Sequence, residues 1–141
     1  MIIVIDTNVF IGACIGLGAS NAVIAAGLQG HHTPLMGTAL LTEYEDVLGR
    51  DALFAGCRLN RAERDELLDI FLSVCRWTRI YYGWRPNLPD EADNHQRGVS
   101  INRLLDDAAT LLLTEFDAET RFRLRADRGR GQIERGLALL Y

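Results

Sequence analysis

The chain has 141 residues, 48% of them hydrophobic and 24% charged, with a formal net charge of −4. That balance fits one domain able to bury its own core, and it argues against a disordered chain or a globally basic nucleic-acid binder. All 15 basic residues are arginine, and no apolar run approaches the roughly 20 residues that a membrane span requires.

The first segment, Ile2-Ile3-Val4-Ile5, is apolar and β-branched without interruption, as in a strand buried on both faces of a parallel sheet. Gly12, Gly16 and Gly18 predict a loop after it. Ser20 is placed to cap a helix over about 21–29, and Pro34–Gly37 suits a short second strand. "TALLTEYEDVLGR" predicts a helix capped by Thr38, with Leu40, Leu41, Tyr44, Val47 and Leu48 on one stripe and Gly49 at its end. A further helix over about 61–76 carries a capping box, Asn60 with Glu63, and an apolar face of Leu67, Leu68, Phe71, Leu72 and Cys75. "TRIYY" predicts a strand, and "GWRPNLPDEADN", broken by Gly83, Pro86 and Pro89, a loop.

Residues 101–113 suit a helix, or a helix passing into a strand at Ala109–Leu113. Residues 119–136 hold Arg121, Arg123, Arg125, Arg128, Arg130 and Arg135 among three glycines, and Leu137–Tyr141 is apolar again. That end suits either a last strand or a surface for a second copy or a partner peptide. Strands alternating with helices predict an α/β fold, a three-layer α/β/α sandwich around a short, mostly parallel sheet.

Cys14, Cys57 and Cys75 are widely separated; they form neither a disulfide framework nor a metal-ligand spacing, which suits a reduced, cytoplasmic setting. No basic segment precedes the first hydrophobic stretch, so no signal peptide is expected. His31 and His32 are neighbours that cannot face the same way, and His95 stands alone, which argues against structural zinc.

The chemistry rests on acids. Asp6 ends the first predicted strand, where open parallel sheets place their sites; an Asx-turn or helix cap explains it equally well. Periodicity puts Asp46 on the solvated side of its helix and leaves Glu43 and Glu45 flanking the apolar stripe, with no choice between them. Asp90, Glu91 and Asp93 follow another strand; the dipole of a following helix would also favour acids there. Carboxylates brought together need cations, and an oxygen-only set favours magnesium or manganese. Such a site suits phosphodiester hydrolysis, in which the ion activates water and offsets charge on the phosphate.

With these residues in place, the chain resembles the PIN-domain family. "MIIVIDTNVFIG" is similar to the family's opening strand and Asp-Thr-Asn motif, "TALLTEYEDVL" to the helix bearing its Glu, and "RPNLPDEADNH" to a segment of a bacterial subgroup assigned as toxins of type II (VapC-like) toxin–antitoxin systems. The resemblance covers about the first two thirds of the chain and implies a PIN-like domain over residues 1–141, divergent over 96–141. It implies Asp6, Glu43 and Asp93 as catalytic and metal-binding acids for Mg2+ or Mn2+. Thr7, Asn8 and Asn94 would orient Asp6 and its surroundings by hydrogen bonds. It implies a ribonuclease acting on RNA, neutralised by a cognate antitoxin, and able to form a homodimer. The family continues with a strand ending in a fourth acid or Asn. "ATLLLTE" is the candidate for it, offering Glu115 or Asp117, unless the resemblance ends at His95. Arg85 and the arginines of the tail could contact RNA phosphates, or could be scattered surface charges.

Overall fold

The computed structural model describes residues 1–79 and 97–141. Ten elements follow in order. They are β1 (Ile2–Ile3), α1 (Thr7–Ile15), α2 (Ala19–Leu28), β2 (Thr33–Met36), α3 (Thr38–Leu48), a 3-10 turn (Asp51–Phe54), α4 (Arg61–Val74), β3 (Arg76–Trp77), α5 (Arg97–Gly129) and α6 (Ile133–Leu140). The strands form a parallel sheet in the order β1-β2-β3, with Ile2 opposite Thr33 and Met36 opposite Trp77. Parallel neighbours need long crossovers, and α1 with α2, then α3 with α4, supply them. The α/β class predicted from the alternation is what forms.

The first strand differs from its prediction. It is short, and it alternates: Ile5 is buried and Ile3 half-buried, while Ile2 and Val4 are 57% and 63% exposed. An uninterrupted apolar run does not report which face is covered, and among the described residues only one face of β1 meets the core.

The predicted loop after Asp6 is instead the helix α1, and the chain breaks only at Gly16–Gly18. Gly12 sits inside this helix for a packing reason. A Cβ there would lie 2.8 Å from Ser20 Oγ, so a glycine lets α1 and α2 approach closely. Ser20 is correspondingly inside α2 rather than its cap. Asn21, 1% exposed, accepts from the Gly18 N–H and donates to the carbonyls of Ala13 and Leu140, answering backbone groups at both helix ends.

Helices α3 and α4 keep their predicted extents within a residue or two, and Asn60 and Glu63 make the reciprocal capping box of α4. Thr38 opens α3 as its first residue, with Gly37 at the cap position. Phe10, Tyr44 and Phe71 meet at the centre, with ring centroids 5.5, 5.6 and 6.1 Å apart. Each such pair adds about 0.5–1.5 kcal/mol beyond its buried area. Among the described residues the third strand forms at Arg76–Trp77, and Thr78 and Arg79 of "TRIYY" follow it. Its ladder ends with the Thr78 N–H donating to Met36, and residues 80–82 lie outside the described residues.

The largest departure is α5. The pattern allows a strand at Ala109–Leu113; the structure continues one helix from Arg97 to Gly129. Its C-terminal half packs on α3 and α4 through Ala118, Phe122 and Ala126. Leu137–Tyr141 is neither a strand nor a free apolar end. Leu137–Leu140 lie in α6, whose Gly136, Leu139 and Leu140 are buried, while Tyr141 follows it exposed, and Arg58 donates to the Leu139 and Leu140 carbonyls.

Candidate metal centre

Asp6 follows the end of β1 and is exposed. It caps α1, with Oδ2 accepting from the Asn8 N–H at 3.3 Å. The turn role and the candidate ligand role therefore fall on one residue. A carboxylate that caps with one oxygen keeps lone pairs for a cation.

The helix α3 delivers the second acid. Thr7, 3% exposed, donates from its hydroxyl to Glu43 Oε1 at 3.0 Å. The bond predicted between Thr7 and Asp6 goes to Glu43 instead, because Thr7 is the first helical residue of α1 and faces α3. One turn of the same contact is made by Tyr44, whose hydroxyl donates to the Ile5 carbonyl at 2.7 Å and reaches the Asp6 carbonyl at 3.4 Å. Burial, reinforced by Cys75 and then by the Asp6 and Glu43 carboxylates, pushes this hydroxyl above its ordinary value of 10. It stays protonated and keeps donating at any ordinary pH. Tyr44 reads in the sequence as one more apolar stripe residue; its place beside Glu43 in that stripe is the signal that could have marked it as the pin between α3 and β1.

Periodicity leaves Glu43 and Glu45 equivalent, but the structure gives them different partners. Glu45 is held by Arg121 of α5, with the guanidinium Nε 3.2 Å from both carboxylate oxygens. Glu43 is exposed, carries no ion pair among the described residues and is turned to Thr7. All three thiols are free, and burial, helped by Cys57, pushes Cys14 up to about 12 and burial likewise raises Cys75.

Asp93, Asn94 and Arg85 lie outside the described residues, as does His95. Glu115 and Asp117 are both in α5, Glu115 buried and Asp117 exposed. Two residues apart on a helix they point about 200° apart, so at most one of them can face any one site. The strand that would have carried them is not formed. Asn8 contributes its backbone N–H to Asp6. The tail arginines are largely taken up by structure. Arg121 holds Glu45, Arg125 and Arg128 hold Asp69, and Arg135 holds Glu66. Arg123 pairs with Glu119 of its own helix, and Arg130, just past the end of α5, with Asp127.

A family model of the PIN domain matches residues 2–115. The chain belongs to the PIN-domain family. The match runs past His95, so the resemblance does not end there, and it includes Glu115 but not Asp117. No curated protein and no solved structure matches the chain. PIN domains are in general metal-dependent nucleases that act on RNA and typically use divalent ions. The Asp6–Glu43 pair has the right donor chemistry for such an ion, two exposed carboxylates whose hard oxygens suit magnesium or manganese. Among the described residues no group of three or more His, Cys, Asp or Glu could hold a metal by itself.

Proposed function

We propose that this PIN domain is a metal-dependent endoribonuclease and the toxin of a toxin–antitoxin pair, with Asp6, Glu43 and Asp93 holding magnesium or manganese. The observation that carries the site is the joint between α1 and α3. Thr7 and Tyr44 together bring Glu43 to the end of β1 where Asp6 stands. The antitoxin assignment is supported by the likeness of "RPNLPDEADNH" to the toxin subgroup, and the protein is expected to act in the cytoplasm.

A bound divalent ion supplies a more acidic water and neutralises charge on the phosphate. The chain's own residues do the rest. The Asp6 cap fixes that carboxylate at the sheet end, and the Thr7 hydroxyl ties down one oxygen of Glu43 and leaves the other for a cation. Fixing both before substrate arrives reduces the reorganisation needed in the transition state. Replacing Asp6 by Asn should abolish manganese-stimulated cleavage of single-stranded RNA, a loss of at least a hundredfold, and relieve any growth arrest on expression. Equal cleavage by the parent and Asp6→Asn proteins would overturn the reading.

A second reading, a PIN-like RNA- or partner-binding module that has lost catalysis, is favoured by the helical state of "ATLLLTE", which supplies no fourth acid at a strand end. Calorimetric titration with manganese separates the two. Binding that weakens with Glu43→Gln and Asp93→Asn supports the nuclease, and no binding supports the module.

A further inference from the structure

A cleft of about 500 Å³ opens on the β3 flank of the sheet, between the end of α4, β3 and the last turns of α5. That volume lies within the ~300–1,000 Å³ range of pockets that take small ligands. None of Asp6, Thr7 or Glu43 lines it; β1 is two strands away, about 10 Å by the usual strand spacing. Trp77, half-buried, gives it an aromatic wall and is backed by the buried Phe122, with ring centroids 4.9 Å apart. Three arginines line it, Arg76, Arg123 and Arg130, against one acid, Asp127.

Two polar groups here lack partners among the described residues. The indole N–H of Trp77 is buried and meets no acceptor there, although a buried donor ordinarily finds one. Arg76 is exposed and is the one lining arginine without an ion pair among the described residues, since Arg123 is held by Glu119 and Arg130 by Asp127. Aromatic faces, a spare N–H donor and a guanidinium free to grip an anion are the features that recognise a planar base with a phosphate attached. With Arg123 and Arg130 balanced by Glu119 and Asp127, Arg76 leaves the lining one positive charge in a protein of net charge −4. We propose that this cleft is a nucleotide subsite, in which Trp77, backed by Phe122, stacks a base and Arg76 holds its phosphate. The same chemistry arrives either as a free mononucleotide or as one nucleotide of a single-stranded RNA.

The test uses the full chain with Trp84→Phe, which leaves Trp77 as the only tryptophan, in a chelator so that no metal-dependent step occurs. Titration with AMP should quench Trp77 fluorescence saturably, and adenosine or inorganic phosphate alone should bind at least tenfold more weakly. Arg76→Gln, at an exposed position, should weaken AMP about tenfold or more with an unchanged circular dichroism spectrum. Ala126→Leu, which fills the cleft, should weaken it as well. A five-nucleotide RNA binding tenfold tighter than AMP identifies a strand as the source, and the reverse order identifies the free nucleotide; either supports the subsite. The proposal is overturned if neither probe quenches Trp77, if Arg76→Gln binds like the parent, or if Glu43→Gln rather than Arg76→Gln removes binding. Because no cleavage is read, a failed nuclease assay leaves this result standing, and the converse holds too.

Discussion

The two halves of α5 both carry apolar residues, and those along its packed stripe meet a different fate from the rest. In the N-terminal half, Ile101, Leu104, Leu105, Leu111, Leu112 and Leu113 are between 41% and 65% exposed. In the C-terminal half, Ala118, Phe122 and Ala126 continue the stripe at four-residue intervals and are at most 4% exposed. Periodicity reports that a helix has an apolar side; whether a neighbour reaches that side is a separate matter. For α5 the neighbours are α3 and α4. They reach it from Glu45, which holds Arg121, to Asp69, which holds Arg125 and Arg128. Gly129 then comes so close that a Cβ there would run into the Asp69 carbonyl.

The comparison is sharpest for a large side chain in each half. Phe122→Ala should lower stability by about 3–5 kcal/mol in urea unfolding, through the lost transfer of the ring and the cavity left against Trp77. Leu112→Ala, 60% exposed, should change it by less than about 0.5 kcal/mol. A Leu112→Ala loss comparable with that of Phe122→Ala would mean that the two halves are covered alike in solution.

The close approach at Gly129 is the next largest. Gly129→Ala would ordinarily favour a helix, yet the added methyl meets backbone rather than a side chain that could move. A loss of about 1–3 kcal/mol is expected, read as a lowered midpoint of thermal unfolding. An unchanged or raised midpoint would show that α5 stands further from α4.

The smallest effect concerns the charges along that seam, and its sign differs between two acids of α4. The Arg135 guanidinium beside Glu66 holds its carboxyl below the ordinary 4.5, so that bond stabilises at neutral pH and the contribution is lost as pH falls through 4.5 and below. Burial raises Asp69 above its ordinary 3.8 despite Arg125 and Arg128. Its folded form therefore takes up a proton more readily, and stability from this group rises on acidification and is lost again as pH rises. Glu66→Gln should make the fall in stability on acidification shallower, and Asp69→Asn should make it steeper. Denaturant midpoints followed from pH 6 to pH 3 check both; the same slope in the two variants would sink the assignment.

Much of this was legible before any coordinates. The capping box of Asn60 and Glu63 and the stripe of α3 depend on contacts within four residues of each other, which a sequence displays directly. The Asp-Thr-Asn motif, taken together with "TALLTEYEDVL" and "RPNLPDEADNH", likewise pointed to the family. Three things were not legible. Gly12 looks like a loop residue until α2 is seen to press on it, and Leu137–Tyr141 looks like a free apolar end until Arg58 and Asn21 are seen to hold it. "ATLLLTE" suits a strand or a helix equally, because a short apolar run has no decisive period.

At the candidate metal centre the same division holds. The sequence by itself determined the residue types: a carboxylate closing the first strand, two glutamates flanking one helix, and oxygen donors suited to a hard divalent ion. Periodicity left Glu43 and Glu45 equivalent and the resemblance pointed to Glu43; the tertiary structure supplies the physical difference, giving one to Thr7 and the other to Arg121. The reason is that their positions along α3 are equivalent with respect to its apolar stripe, and helical periodicity contains no information about which element lies on which side. That depends on partners 36 and 76 residues away in the chain, and only folding brings them within hydrogen-bonding distance.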